Sequence, residues 1–532
     1  MKPYSATLVH ELALFYPENR SHNIAVAAGS EQSGYQELAR DTEKLAQGLA
    51  NLNLKRSDRV AIYLPKTLPC VLAFLATSRA AGVFVPINPV LKPQQVAHIL
   101  QDSEARILIT SSSRLKALAP ILSNSQNLET IILTDGSDAQ EQIPLKQQSH
   151  FWESLPSATS HELPRTIDSD MAAILYTSGS TGKPKGVVLS HRNIVVGAKS
   201  VAGYLGNSPD DRILSLLPLS FDAGLSQLTT AFYAGAKLIL LDYLLPGDVA
   251  KVCEREKVTG ITGVPPLWMQ IADRAWPETA RENLRYFANT GGKMPGPLLK
   301  KLRSLFSNAK PYLMYGLTEA FRSTYLEPSE VDKRPDSIGK AIPDAEILVI
   351  NSEGRQCEPD EPGELVHRGP LVSLGYWKDK AKTAERFRAA PGQPSGLPMP
   401  EIAVWSGDTV VADSDGFLYF VGRKDDMIKT SGYRVSPTEV EEMAFSSGLI
   451  TEAAALGVPH PKLGQGIVLV VSNSSSDTVC ENLNSFLRQN LPGYMVPLHI
   501  EQMDQLPKNQ NGKIDRNLLK ESFIHQFEGT ET

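Results

Sequence analysis

Cysteine is scarce in this chain: there are four in 532 residues, Cys70, Cys253, Cys357 and Cys480, and no two form a C-x-x-C pair. That spacing signals neither a zinc site nor a disulfide framework, and it suits a reducing compartment. Long apolar runs are lacking as well, since none approaches the ~20 residues that span a bilayer. The stretch Met1–Arg20 mixes charged and apolar residues, without the basic start and continuous apolar core of a secretory signal. The expectation is a soluble, cytoplasmic protein with no integral membrane segment. A basic excess is also missing: the formal net charge is -6, which argues against nucleic acid and for small-molecule partners. What is present is globular. Hydrophobic residues make up 42% and charged residues 21%, proportions that exclude a disordered or fibrous chain.

Apolar, β-branched runs alternate with longer helical stretches through most of the chain. Arg59–Leu64, Ile107–Thr110, Thr130–Leu133 and Lys237–Leu240 read as buried strands, and the alternation predicts an α/β fold of partly parallel sheets with helices. Between Thr110 and Leu163 the sequence turns to Ser, Gln, Asn and Asp, which suggests a surface segment joining two lobes; Ala389–Pro400 is a Pro- and Gly-rich loop. After the charged junction Gly422-Arg423-Lys424-Asp425-Asp426 the remainder reads as a small α+β unit, with a helix over Thr438–Phe445 and a strand over Gly466–Val471. Charged, glycine-flanked junctions are where hinges fall. We place the boundary at Asp425, giving a large domain over 1–424 and a small mobile domain over 425–532.

The sharpest local signal is Tyr176-Thr-Ser-Gly-Ser-Thr-Gly-Lys-Pro-Lys-Gly186, set between the strand-like Met171–Leu175 and Val187–Leu189. Glycines let backbone N–H groups turn inward on an anion, hydroxyls donate further bonds and lysines add charge, so the segment has the chemistry of a phosphate cradle. It is not a Walker loop: Gly179 and Gly182 are too close, and Pro184 stands where a Ser or Thr would hold magnesium. A plain Ser/Gly hairpin turn would have the same composition.

With the motifs that follow it, this segment resembles the adenylate-forming (AMP-binding) ligases, a superfamily of acyl-CoA synthetases, peptide-synthetase adenylation domains and luciferase. The further motifs are Tyr315-Gly-Leu-Thr-Glu319, Gly363-Glu-Leu365, Gly375-Tyr376, Ser406-Gly-Asp408 and Gly422-Arg423. Ile428–Pro437 with Glu439, Leu491–Pro497 and Asn511–Arg516 complete the set. The resemblance runs over nearly the whole chain and is strongest to stand-alone bacterial acyl-CoA and amino-acid ligases. It implies an ATP-dependent ligase that adenylates a carboxylic acid and passes the acyl group to the thiol of CoA or of a carrier-protein phosphopantetheine.

The resemblance also implies roles. Thr177, Ser178, Gly179, Ser180, Thr181, Gly182 and Lys185 would hold the β- and γ-phosphates of ATP. Gly291 and Gly292 would admit the adenine edge, Tyr315 would stack on the base, and Asp408 with Arg423 would hold the ribose. Thr318 would reach the α-phosphate and Glu319 would bind Mg2+, a hard cation that prefers carboxylate oxygen. Lys513 would bond the attacking carboxylate and the α-phosphate together, offsetting their repulsion. Rotation of the small domain about Asp425 would then withdraw Lys513 and bring the loop around Lys429 and Gly432 to the adenylate.

By the same register Phe221, Asp222, Ala223, Ser226, Leu267, Asn289, Met314, Arg322 and Ser323 line the acid pocket. Aspartate at the position of Asp222 accepts an α-ammonium in amino-acid-activating members, because a lone carboxylate facing an apolar chain is costly to desolvate. The acid is therefore expected to be an amino acid, unless Asp222 is paired with Arg322, in which case a simple carboxylic acid is expected. The lack of an appended carrier or condensation domain after Arg516 favours the second. An inactive nucleotide-binding sensor is a different class of function; Lys185, Glu319, Asp408 and Lys513, all present, argue against it.

Overall fold

In the computed structural model of the chain, residues 6–14, 23–122, 125–136, 146–155, 162–177, 184–242, 245–294, 296–423, 427–472, 479–507 and 514–528 are described. Arg59–Tyr63, Val83–Pro86, Ile107–Thr110 and Thr130–Leu133 are short strands buried along almost their full length. Runs apolar on both faces are stable only when both faces are covered, which parallel pairing with crossover helices provides. They do pair in parallel, with Arg59–Tyr63 lying between Val83–Pro86 and Ile107–Thr110. Thr130–Leu133 and Gln148–Phe151 continue one side. On the other, Met171–Thr177 pairs with Val83–Pro86 and turns back antiparallel as Lys185–Ser190.

The polar stretch between Thr110 and Leu163 therefore departs from the linker expected of it. Besides the expected strand Thr130–Leu133 it supplies a helix, Ser112–Leu122, and a further strand of this sheet, Gln148–Phe151. Leu115, Leu118 and Leu122 are buried at helical spacing, so a few apolar residues at the right period outweigh the polar composition around them.

A second sheet has six parallel strands, ordered Ile24–Ala28, Lys237–Leu240, Arg212–Ser215, Gly260–Gly263, Tyr286–Asn289 and Lys310–Tyr315. After Tyr315 the direction reverses. Thr324–Leu326, Ser337–Ala341, Leu418–Arg423, Ile402–Ala412, Gly363–Arg368 and Glu346–Ile350 extend the sheet antiparallel. Between the two sheets lie Leu68–Arg79, buried without a break from Cys70 to Ser78, and Asp222–Ala234, buried from Gly224 to Phe232. Helices buried on every side belong inside a layered core. The core joins Ile62 of one sheet, Phe74 and Leu228 of the helices and Leu238 of the other sheet. Phe74 stacks on Phe84 with centroids 5.0 Å apart, and truncating such a ring to alanine costs about 3–5 kcal/mol.

The small unit pairs Glu452–His460 antiparallel with one edge of Gly464–Ser472, whose other edge takes the hairpin Ile428–Thr430 and Tyr433–Val435 at its start and His499–Met503, parallel, along the rest. The expected helix and strand are there, as Pro437–Ser446 and Gly464–Ser472. Arg516 bridges to Glu441 at 2.7 Å, tying the tail of the chain to that helix. The junction residue Asp425 lies outside the described residues. Among those described, no helix is long and apolar enough to cross a membrane.

Candidate active site

Ligands of open α/β sheets bind outside the carboxyl ends of the parallel strands, and here those ends from both sheets meet at one cleft. Asn88 follows Val83–Pro86, Thr177 ends its strand, Val264 follows Gly260–Gly263, and Thr290 and Gly291 follow Tyr286–Asn289. All of them line a cavity of about 180 Å³. Phe221, Asp222, Thr318 and Arg322 line it from the same domain, and Gly432, Tyr433 and Arg434 close it from the small domain. A second cavity, about 580 Å³, adjoins it and is lined by Gly291, Gly292, Tyr315, Asp408 and Lys429. Of the residues expected to bind nucleotide, Thr177, Gly291 and Thr318 line the first cavity and Gly291, Gly292, Tyr315 and Asp408 the second, while Lys185 lines neither.

Asp408 lies in Ile402–Ala412 directly opposite Arg423 in the antiparallel register, so sheet pairing alone brings the two ribose candidates together. Tyr315 donates its hydroxyl to Asp408 Oδ2 at 2.5 Å. Gly291 has φ +74°, and a Cβ there would sit 3.1 Å from Val264 Cγ1; only glycine takes that backbone without strain. Glu319 sits in the short 3-10 turn Thr318–Ala320 and accepts from the Tyr376 hydroxyl at 2.7 Å. Burial, and after it the nearby Glu319 carboxylate, hold the Tyr376 phenol well above its usual range, so it stays a donor. A single carboxylate held this way suits Mg2+, which keeps waters and binds one or two carboxylates plus substrate phosphates; no cluster of three or more ligating side chains exists among the described residues.

Lys185 opens the second strand of the hairpin, 3.9 Å from Asp379, and burial lowers its pKa. Thr177 lines the smaller cavity. Ser178, Gly179, Ser180, Thr181 and Gly182 lie outside the described residues, as do Lys513 and Asp425. Lys429 stands in Ile428–Thr430 with its ammonium 5.0 Å from the Phe420 ring.

The acid-pocket residues divide. Ser226, Met314 and Arg322, with Ala223 and Thr230, surround a chamber of about 10 Å³ that lies beyond Arg322. Phe221 and Asp222 face the cavity at its entrance. Asn289 lines the second cavity, as Met314 also does, and donates to the Gly292 carbonyl at 2.8 Å. Leu267 is packed with Trp268 and Ile271 in the hydrophobic core beneath the second sheet and lines none of these cavities. Its helix, Pro265–Ala272, turns that face inward.

Arg322 is 3% exposed, and its Nη1 lies 3.4 Å from Asp222 Oδ2. Burial raises the Asp222 pKa, and the Arg322 charge opposes that rise. Phe321, just before the arginine, is wholly buried with φ 55° and ψ -48°, a conformation that costs roughly 1–3 kcal/mol and persists only where the surroundings impose it. Gly197 makes room for the Phe321 ring, since a Cβ there would come within 2.6 Å of it. His367 Nδ1 and Ser323 Oγ hydrogen-bond at 3.0 Å directly behind.

Sequence reasoning overlooked Lys66. Its ammonium donates to the carbonyls of Ser215 at 3.2 Å and Leu216 at 2.7 Å and pairs with Asp242 at 3.3 Å; burial lowers its pKa to about 8. It anchors the strand end from which Phe221 and Asp222 are reached. A lysine set between Pro65 and Pro69 ahead of an apolar run was the available signal. Glu439, a motif residue with no role implied by the resemblance, meets Gln95 of the large domain at 3.4 Å, and burial raises its carboxyl to about 7.

The family model for AMP-binding enzymes matches residues 16–377, and the model for the AMP-binding enzyme C-terminal domain matches 439–513. A feruloyl-CoA synthase of Amycolatopsis sp. is 31% identical over 509 residues, which cover 94% of this chain and 96% of that protein. Surfactin synthase subunit 2 of Bacillus subtilis (strain 168) is 30% identical over 520 residues, 95% of this chain but 14% of that protein. Among solved structures, o-succinylbenzoate CoA synthetase of Bacillus subtilis superposes with TM-score 0.79 at 27% identity, covering 97% of this chain and 98% of the other.

Proposed function

This chain belongs to the AMP-binding enzyme family and is an ATP-dependent, AMP-forming acid–thiol ligase, and we propose that its acid is a nitrogen-free carboxylic acid. The observation that carries this reading is the Arg322–Asp222 pair. With the aspartate's charge matched inside the protein, an incoming ammonium would sit beside the Arg322 guanidinium, and breaking a buried pair to admit it is costly.

The chemistry runs in two steps. A carboxylate oxygen attacks the α-phosphorus of ATP and pyrophosphate leaves; a thiolate then attacks the acyl carbon and AMP leaves. In the first step Tyr315 and Asp408 hold the nucleoside, Thr177 and Lys185 the phosphates, and Thr318 the α-phosphate. Glu319 would hold Mg2+, which would supply charge neutralisation at the phosphates. Lys513 stabilises the charge that develops between the two approaching anions. In the second step the small domain presents the loop around Lys429 and Gly432. The arrangement described here supports this role: Tyr433 packs edge-on against Phe221 at 5.2 Å, so the loop already occupies the cleft. We assign CoA as the thiol, by analogy with the full-length likeness to feruloyl-CoA synthase, and the cytoplasm as the site of action. A separate carrier protein is the other acceptor.

The test is pyrophosphate release over matched pairs of acids, such as proline and cyclopentanecarboxylate, with and without CoA. The nitrogen-free partner should react at least tenfold faster across the panel. A preference for the amino acids would instead assign Asp222 to an α-ammonium.

A further inference from the structure

Arg322 has five N–H donors and few uses for them. Its Nη1 and Nη2 stand 3.4 and 3.5 Å from Asp222 Oδ2 and the Asp222 carbonyl. Charge-assisted bonds of this kind close to about 2.7–2.9 Å, so the pair leaves a gap. The buried Nε has no partner among the described residues. In the chamber beyond, Thr230 Oγ1 is also buried and without a partner there. Buried polar groups are almost always satisfied. Arg322 and Thr230 both line this chamber, and a group that reaches it would find donors with room for an acceptor.

The chamber also limits size. Its volume, about 10 Å³, is that of a single water. The Tyr204 hydroxyl donates to Met314 Sδ at 3.0 Å, and the Tyr204 ring stacks on Tyr325 with centroids 4.2 Å apart, so the aromatic wall behind Met314 is packed. A long acyl chain cannot enter this chamber.

We propose that the acid is a short one bearing a hydroxyl group, which sits between Arg322 and Asp222 at the mouth of this chamber. The proposal rests on the reading of this pocket as the acid's. A hydroxyl both donates and accepts: it can donate to the Asp222 carboxylate while accepting from the Arg322 Nη1 or Nη2 that faces it. Its neutrality preserves the charge balance of the pair. An ammonium would add a cation beside Arg322, a second carboxylate would add an anion beside Asp222, and an alkyl group would offer neither Arg322 nor Thr230 an acceptor.

Non-hydrolysable acyl-sulfamoyl-adenosines test this by calorimetry on the full chain. The acyl groups are butanoyl, its 2-, 3- and 4-hydroxy derivatives, 2-aminobutanoyl and succinyl. One hydroxy isomer should bind about 10- to 100-fold more tightly than butanoyl, the range set by a hydrogen bond to a charged group. Arg322→Gln and the isosteric Thr230→Val should each shrink that preference. Butanoyl binding as tightly as every hydroxy isomer, or a tighter amino or succinyl compound, overturns the proposal while leaving acid activation intact. If no compound binds more tightly than AMP, acid activation falls too. The comparison within the wild-type protein decides the matter even where a variant fails to fold.

Discussion

Tyr315 and Asp408, 93 residues apart, share a 2.5 Å hydrogen bond from phenol to carboxylate, so the residue expected to stack on adenine also orients the one expected to hold ribose. Tyr315→Phe keeps the ring and deletes this bond. Hydrogen bonds to charged groups contribute about 1.5–3 kcal/mol, so the KM for ATP should rise roughly tenfold in ATP–pyrophosphate exchange, with little change in kcat. Asp408→Ala removes the acceptor itself and should lower kcat/KM for ATP by about 100-fold or more. An unchanged ATP KM in both variants would remove these residues from the nucleotide site.

Gly432 touches the large domain. Its φ is +83°, and a Cβ would lie 2.6 Å from Val264 Cγ2. Alanine here is strained in backbone and overpacked against its neighbour, which should weaken docking of the small domain. Gly432→Ala is expected to slow thioester formation from a supplied acyl-adenylate by about tenfold or more while sparing pyrophosphate exchange. Val264→Ala should restore part of the loss, because contacting residues couple in a double-mutant cycle. Equal slowing of both steps would place Gly432 elsewhere in the mechanism.

Lys513→Ala should abolish adenylate formation yet leave thioester formation from the acyl-adenylate largely intact. A lost contact to developing charge typically costs ~10²-fold or more. Single-turnover assays of the two half-reactions check it, and matched losses in both would contradict the alternating use of one site.

Acid should destabilise the large domain through three buried histidines. Burial lowers His10 to about 3, His191 to about 4 and His367 to about 3, from an ordinary 6.5; His10 and His191 also stand edge to face at 6.3 Å and repel as they charge. Below pH 6.5 the unfolded chain takes up these protons while the native one does not. Their contribution is thus complete above pH 6.5 and is lost as pH falls toward 3–4. Each proton contributes a slope of about 1.4 kcal/mol per pH unit. Thermal midpoints followed by circular dichroism should drop steeply between pH 6.5 and 4.5, and His191→Asn should flatten the drop. A flat profile would mean these rings are protonated in the native state.

The chemistry of the chain is written in short segments. Tyr315–Glu319, Ser406–Asp408 and the hairpin at 176–186 carry their residue types at fixed local spacing, so they can be read without knowing what faces them. Buried strands such as Ile107–Thr110 are equally legible, because four consecutive branched apolar residues have no stable exposed conformation. Where composition misled, between Thr110 and Leu163, the informative residues were three leucines at helical period, a weak local pattern that became decisive only when a sheet lay beneath it.

Other features depend on packing at a distance. Asp222 and Arg322 are 100 residues apart, and whether the aspartate awaits an ammonium or already has a cation turns on where a strained Phe321 backbone aims its neighbour. Leu267 lies close in sequence to pocket residues yet belongs to the core, since the rotation of one helix selects which face meets the cavity. Asp408 meets Arg423 through strand register, which a shift of one residue would reverse. The sequence by itself determined the reaction, the nucleotide motifs and the α/β class, all of which rest on local residue chemistry. Only the tertiary structure decided the partner of Asp222, the size of the acid chamber and the contact of Gly432 with Val264, because each is a meeting of segments whose distance in space no local pattern encodes.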